Sequence, residues 1–145
     1  MPMPAQPGTA TASAGLARTW EAVYPGTADQ LGRVRTELRT RLRDCPMADD
    51  IILLISELAA NAITHSDSGQ PGGTFTVRVS HHPGGHVRAE IQDGGSRWDG
   101  DLARSARPPH GLYLLLTLSA QCGTDQGARC RTTWFRVDYP PVSLA

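Results

Sequence analysis

The spacing of apolar residues along the chain predicts three helices. Apolar side chains three and four positions apart predict a first helix, which Pro46 ends, with the stripe Leu31, Val34, Leu38 and Leu42. Thr27 and Gln30 match a capping box at the start of this helix. A second helix is predicted from about Met47 to Ser66, and a third, strongly apolar helix from Leu112 to about Ala120.

Alternating apolar and polar residues predict strands elsewhere in the chain. One strand precedes the first helix, a hairpin follows the second helix, and at most a short strand comes before the last one: residues 17–24, 74–80, 86–93, 123–127 and 130–139. The order of elements is β-α-α-β-β-loop-α-β-β. It predicts an α+β fold, a two-layer sandwich with the helices packed on one face of a mostly antiparallel mixed sheet.

The segments without these patterns set the predicted domain boundaries. Residues 1–15 carry no charge and almost no large apolar side chain, which predicts a disordered tail. The folded domain is expected over residues 16–140, with a short tail at 141–145. Residues 94–109 are rich in Gly, Pro, Arg and Asp and form a predicted loop, and loops of this length are often functional.

Composition and charge exclude several classes of function. The chain has 14 basic and 14 acidic residues, so it lacks the basic excess of a protein that binds nucleic acid directly. Its apolar runs are far shorter than the roughly 20 residues that span a bilayer, and no signal peptide is visible, so no membrane association is expected. Three cysteines without a C-x-x-C pair are typical of reduced thiols and favour a cytoplasmic protein.

Two groups of residues have ordinary structural interpretations. The three histidines around the Pro-Gly-Gly turn lack paired Cys or carboxylate ligands, so we interpret them as turn residues rather than a metal site: His81, His82 and His86. Arginines cover the other faces of the first helix and form either a solvated surface or a partner-docking face: Arg33, Arg35, Arg39, Arg41 and Arg43.

Polar residues on the second helix form the most informative pattern. Glu57, Asn61 and His65 are four residues apart and line one edge of the helix beside its apolar stripe. A carboxylate and an amide at the border of a core need partners, because burying them unpaired is costly. A bound ion and ligand would supply those partners. The alternative is that these are boundary residues satisfied within the protein.

Two glycine-containing turns are weaker signals. Asp93 is followed by Gly94 and Gly95 at the end of a predicted strand, where the carboxylate can accept a hydrogen bond and the glycines let a ligand approach the backbone. The same residues also form ordinary turns. Gly111 opens the third helix, and free N–H groups at a helix N-terminus can bind phosphate.

Taken in chain order, these motifs resemble the ATP-binding fold of histidine kinases, Hsp90-type chaperones, gyrase and MutL. A helix with E-x-x-x-N, a strand ending in D-x-G, a loop, a glycine-opened helix and a final strand with two threonines recur together in that superfamily. The small size and the sequence Ser-Glu-Leu-x-x-Asn-Ala-x-x-His-Ser are similar to those of the anti-sigma factor serine/threonine kinases. The resemblance covers residues 18–139.

This resemblance implies roles for individual residues. Asn61 would coordinate Mg²⁺, and Glu57 would polarise the attacking hydroxyl or water. Asp93 would accept a hydrogen bond from the adenine amino group of ATP, and Gly95 would let the base approach. The other implied cofactor-binding residues are His65, for which helix-end packing is the alternative, Gly111, Leu112 and Thr132, with Thr133 one register away.

One position departs from the family's pattern. The second glycine box usually reads G-x-G-L, whereas Pro109 precedes His110, Gly111 and Leu112 here. Proline has no N–H and cannot adopt positive φ, so a phosphate contact or a lid hinge is missing. Arginines in the preceding loop could restore phosphate contacts: Arg97, Arg104 and Arg107.

The resemblance implies an ATP-binding anti-sigma factor with serine protein kinase activity. It would sequester a sigma factor to regulate transcription and phosphorylate a serine of an anti-anti-sigma protein, and a homodimer is compatible with the family. The altered glycine box leaves open a non-catalytic interaction module of the same fold, which binds a regulatory partner with or without nucleotide. A two-component histidine kinase is disfavoured, because no helix pair carrying a phospho-accepting histidine fits before Arg18.

Overall fold

The computed structural model describes residues 16–95, 111–127 and 130–141. These ranges contain helices and strands close to the predicted positions, with a short 3₁₀ turn after the second helix: β1 (Arg18–Pro25), α1 (Gln30–Arg41), α2 (Ala48–His65), the 3₁₀ turn (Asp67–Gly69), β2 (Thr74–His82), β3 (His86–Asp93), α3 (Gly111–Leu118), β4 (Gln121–Gln126) and β5 (Arg131–Asp138). The predicted tail at 1–15 and most of the predicted loop lie outside the described residues.

The strands form one sheet in the order β1-β2-β3-β5-β4. Neighbouring strands pair antiparallel throughout the described part of the sheet. This part of the sheet is therefore antiparallel rather than mixed. Gly84 adopts φ +80° in the tight turn between β2 and β3, a conformation that glycine adopts readily. The predicted α+β architecture is confirmed.

Every second residue of the central strands faces the helices, as the period of two predicts. The buried sheet residues include Phe75, Val77, Val79, Val87, Ala89, Ile91, Phe135 and Val137. They pack against apolar side chains of α1 and α2, which include Val34, Leu38, Ile51, Leu54, Ile55 and Leu58. The core therefore lies between the sheet and one helical layer.

The start of α1 differs from the predicted capping box. The helix begins at Gln30, with Asp29 at the N-cap and no side-chain cap. The Thr27 hydroxyl donates to the Asp29 carboxylate instead, and the Gln30 N–H donates to the Thr27 carbonyl at 3.0 Å. A backbone turn over residues 27–30 therefore replaces the side-chain cap.

The boundary of β2 also differs from the prediction. The strand continues through His82, whereas the sequence predicts a turn from His81 onward. His81 continues the inward alternation and is 3% exposed. It remains in the strand because its ring nitrogens find partners there, the Tyr139 hydroxyl at 2.7 Å and the Arg18 guanidinium at 3.3 Å.

No helix in the described ranges is long and apolar enough to cross a membrane.

Candidate functional site

Helix α2 carries the predicted polar edge. Glu57 and Asn61 are half-buried, and His65 is exposed. The Asn61 Nδ2 atom is buried and finds no hydrogen-bond partner among the residues that the structure describes. A buried amide is ordinarily hydrogen-bonded, so this side chain has a polar atom available to a ligand.

The buried Ser56 hydroxyl connects α2 to α1 beside Glu57. Its Oγ atom accepts a hydrogen bond from Arg35 Nε at 3.1 Å. Arg35 therefore contributes to helix packing, in addition to the solvated or docking surface predicted for the α1 arginines. The contact holds this turn of α2 in place, and Glu57 is the next residue along the chain.

The turn after β3 is built around the Asp93 carboxylate, which is 6% exposed. Gly95 has φ +70°, a backbone conformation that favours glycine. This conformation brings the Gly95 N–H within 2.7 Å of Asp93 Oδ1, to which it donates. The glycine that the sequence assigns to ligand approach therefore also orients the carboxylate.

Arg131 is a residue that the sequence analysis missed. It is fully buried, it is the cross-strand partner of Asp93, and its Nη2 atom donates to Asp93 Oδ2 at 2.8 Å. The signal was present, because the alternation of the last strand places Arg131 on the same face as Phe135 and Val137. An arginine at an inward strand position needs a buried counter-charge, and Asp93 supplies it.

The 3₁₀ turn connects the end of α2 to the Asp93 turn. The Gly94 N–H donates to Ser68 Oγ at 2.9 Å, and the Asp67 N–H donates to the Gly95 carbonyl at 3.4 Å. A Cβ atom built on Gly26 would lie 1.8 Å from the Ser68 carbonyl oxygen, so only glycine fits there. These contacts bring the end of α2 and the Asp93 turn to the same end of the sheet.

The two candidate threonines lie on opposite faces of β5. Thr132 pairs with Gln92 and points away from the helical layer, whereas Thr133 is buried on the face that carries Asp93. The register follows directly from the pairing of Arg131 with Asp93. The structure therefore places Thr133, the alternative in the sequence, on the face of the candidate site, and it does not bring Thr132 to that face.

Helix α3 begins at Gly111, one residue before the predicted start, ends at Leu118, and packs against α2. Leu115 is buried in the core. The phosphate contacts expected of Gly111 and Leu112 stay predictions, because the side chains of α3 are described only from Leu114 onward. Pro109 and the loop arginines at positions 97, 104 and 107 lie outside the described residues.

The three predicted turn histidines lie at the opposite end of the sheet. His82 and His86 stack with ring centroids 4.4 Å apart. Burial lowers the pKa of His81, and the Arg18 guanidinium lowers it further. The described residues contain no group of three side chains suited to hold a metal ion.

A cavity of about 190 Å³ lies beside His81, between β1 and the end of α1, and is remote from Asp93.

Comparisons with known proteins agree with this fold. A family model described as the histidine kinase-like ATPase domain matches residues 24–137. Curated protein sequences give no match. Among solved structures, the RsbU and RsbW domains of Rv1364c from Mycobacterium tuberculosis match with a TM-score of 0.67 and 22% identity. This match covers 88% of the present chain and 34% of the other chain, so the chain spans about a third of that neighbour.

Proposed function

The chain belongs to the histidine kinase-like ATPase family, and on that premise we propose that it binds Mg-ATP and transfers the γ-phosphate to a serine of a protein partner. The observation that carries the proposal is the buried Asn61 amide without a hydrogen-bond partner in the described ranges. It lies on the helix whose end is tied to the Asp93 turn. A phosphate oxygen of a bound nucleotide would accept the missing hydrogen bond.

The residues present fit ATP and Mg²⁺. An amide oxygen is a ligand that Mg²⁺ accepts together with phosphate oxygens, and the Asn61 Oδ1 atom would take that role. The Asn61 Nδ2 atom, which has no partner among the described residues, would donate to a phosphate oxygen. When bound, the cation neutralises charge on the phosphates. The Asp93 carboxylate would accept the hydrogen bond of the adenine amino group, and Gly95 would leave room for the base.

Glu57 is the proposed catalytic residue. It is half-buried on the same edge of α2 as Asn61 and one turn before it. From there the carboxylate would accept the proton of the serine hydroxyl and orient its oxygen toward the γ-phosphate. Phosphoryl transfer depends mainly on positioning and electrostatics, which are contributions that a fixed helix edge can supply.

The proposed partners are a sigma factor and an anti-anti-sigma protein that carries the serine, in the cytoplasm and with a homodimer compatible. The RsbW domain of the structural neighbour supports this choice. The second candidate is a non-catalytic module of the same fold that binds a regulatory partner with or without nucleotide. Pro109 favours it, because proline removes an N–H from the predicted phosphate-binding segment.

Phosphate transfer to an anti-anti-sigma protein separates the two functions. We expect phosphoserine on that protein after incubation with Mg-ATP. Glu57→Gln should reduce the rate about 100-fold or more, because it removes the general base. Asp50→Asn is the matched control, an exposed carboxylate on the same helix. Nucleotide binding without any phosphoserine, and with identical results for Glu57→Gln and wild type, would contradict kinase activity and favour the binding module.

A further inference from the structure

We propose that Arg131 is a positioning residue that fixes Asp93 as an acceptor-only carboxylate and thereby makes the site selective for a purine with a 6-amino group. The inference rests on the proposed nucleotide-binding function. It goes beyond that function because it assigns base selectivity to a residue outside the motifs that indicate ATP binding. The observation that supports it is the fully buried Arg131 guanidinium, whose Nη2 atom lies 2.8 Å from Asp93 Oδ2.

The pair of Arg131 with Asp93 differs in burial from a second ion pair, which also involves an arginine of β5. Arg136 and Asp138 also lie 2.8 Å apart, but both are partly exposed. Arg131 and Asp93 are withdrawn from water, with side-chain exposures of 0% and 5%. Replacing a buried ion pair by apolar residues is often neutral or stabilising. Packing alone therefore gives no reason for charges at this position, and a role in recognition does.

The hydrogen bonds to Asp93 engage both of its carboxylate oxygens as acceptors. Oδ1 accepts from the Gly95 N–H, and Oδ2 accepts from Arg131 Nη2. Both partners are donors only, so each oxygen acts as an acceptor here, and each retains a lone pair beyond the one already used. The carboxylate offers a ligand acceptors and no donor.

This arrangement distinguishes purines at position 6. The amino group of adenine donates to a carboxylate oxygen, whereas the 6-oxo group of hypoxanthine in the same pose would place two acceptors face to face. Without Arg131, Asp93 Oδ2 would lose its donor, and the carboxylate would no longer be held in this orientation. It would then cease to present a fixed acceptor to position 6 of the base. Arg131 therefore controls selectivity through Asp93 without touching the base.

The test compares the dissociation constants of ATP and inosine triphosphate. We expect wild type to prefer ATP about 100-fold or more, and Arg131→Met to bring the two nucleotides within about threefold of each other. Arg131→Lys should retain the preference because it keeps the charge. Arg136→Met is the matched control at the exposed pair and should behave as wild type. A purely structural role would weaken both nucleotides equally, so an unchanged ratio in Arg131→Met would overturn the inference.

A double variant covers the case in which Arg131→Met does not fold. Arg131→Met combined with Asp93→Asn removes both charges, and the resulting amide can donate or accept. We expect the ratio of ATP to inosine triphosphate affinity of this double variant to equal that of Asp93→Asn alone, because Arg131 acts only through Asp93, and a different ratio would contradict the inference. Failure of wild type to bind either nucleotide would overturn the proposed function as well. Tight but equal binding of both by wild type would overturn only the role of Arg131.

Discussion

The two ends of the sheet bury polar side chains in different ways. At the end with the β2–β3 turn, both ring nitrogens of His81 have partners, Arg18 and Tyr139, and Arg18 also pairs with Asp44 at 2.9 Å. Toward the end with the Asp93 turn, the buried polar atoms that find no partner within the described part of the chain include Asn61 Nδ2 and the Thr124 hydroxyl.

This difference distinguishes buried polar side chains that stabilise the fold from buried polar side chains that can bind a ligand. The hydrogen bonds around His81 join the start of β1, the end of β2 and the residue after β5, and they stabilise the fold without offering a free group. The other end combines rigid contacts, such as Asp93 with Arg131, with an amide that a ligand can satisfy. The cavity beside His81 is therefore a weaker functional indication than the Asn61 amide nitrogen, which is buried and has no partner among the residues described.

The largest expected effect is the loss of stability on breaking the Asp93–Arg131 pair. Asp93→Ala leaves a buried guanidinium without its carboxylate, so the free energy of unfolding should fall by about 3–5 kcal/mol. Asp138→Ala removes the carboxylate of the exposed pair and should cost about 1 kcal/mol or less. Urea denaturation measures both. Equal losses would show that burial does not distinguish these pairs.

A smaller loss is expected where glycine allows the contact between the 3₁₀ turn and the end of β1. Gly26→Ala would drive a Cβ atom into the Ser68 carbonyl and should cost about 3 kcal/mol. Gly32 has open space around its Cβ position on helix α1, so Gly32→Ala should raise the free energy of unfolding by about 0.5–1 kcal/mol. In thermal denaturation, Gly26→Ala should lower Tm and Gly32→Ala should raise it. A change in Tm of the same sign for both variants would contradict the described packing.

The cluster around His81 predicts a loss of stability on acidification. Its pKa is lowered in the folded protein, so the unfolded chain binds the proton more readily. This contribution to stability is complete above the unfolded pKa of about 6.5 and is lost as the pH falls toward the folded value. His81→Gln should therefore flatten the fall in unfolding free energy between pH 7 and pH 5. A profile unaltered by His81→Gln would refute the assignment.

The smallest effect is expected at Glu57, although its proposed role in activity is central. The side chain is only half-buried, so Glu57→Gln should change the free energy of unfolding by less than about 0.5 kcal/mol. Chemical denaturation beside the phosphotransfer assay checks this. A loss above about 2 kcal/mol would indicate a structural role and would remove Glu57→Gln as a clean test of catalysis.

The sequence predicted the elements well because their patterns are local. The polar edge of α2 and the D-x-G turn follow from spacing alone, and the structure joins them at one end of the sheet. The buried position of Arg131 and the outward position of Thr132 follow from the alternation of buried and partly exposed residues in the last strand. The sequence therefore already contained the signal for both. The contact of Gly26 with Ser68 could not be predicted, because it joins residues 42 positions apart. The capping box failed because the Thr27 carbonyl, rather than the Thr27 hydroxyl, accepts from the Gln30 N–H.

The most direct test of the central claim is the thermal stability of the protein with and without Mg-ATP. At 100 times its dissociation constant, a ligand adds about 2.7 kcal/mol of stability, which corresponds to a rise in Tm of roughly 5–15 °C for a domain of this size. We predict this rise for wild type and for Thr64→Ala, an exposed position on the same helix, and its loss in Asn61→Ala. No rise in wild type, or an equal rise in Asn61→Ala, would contradict the account.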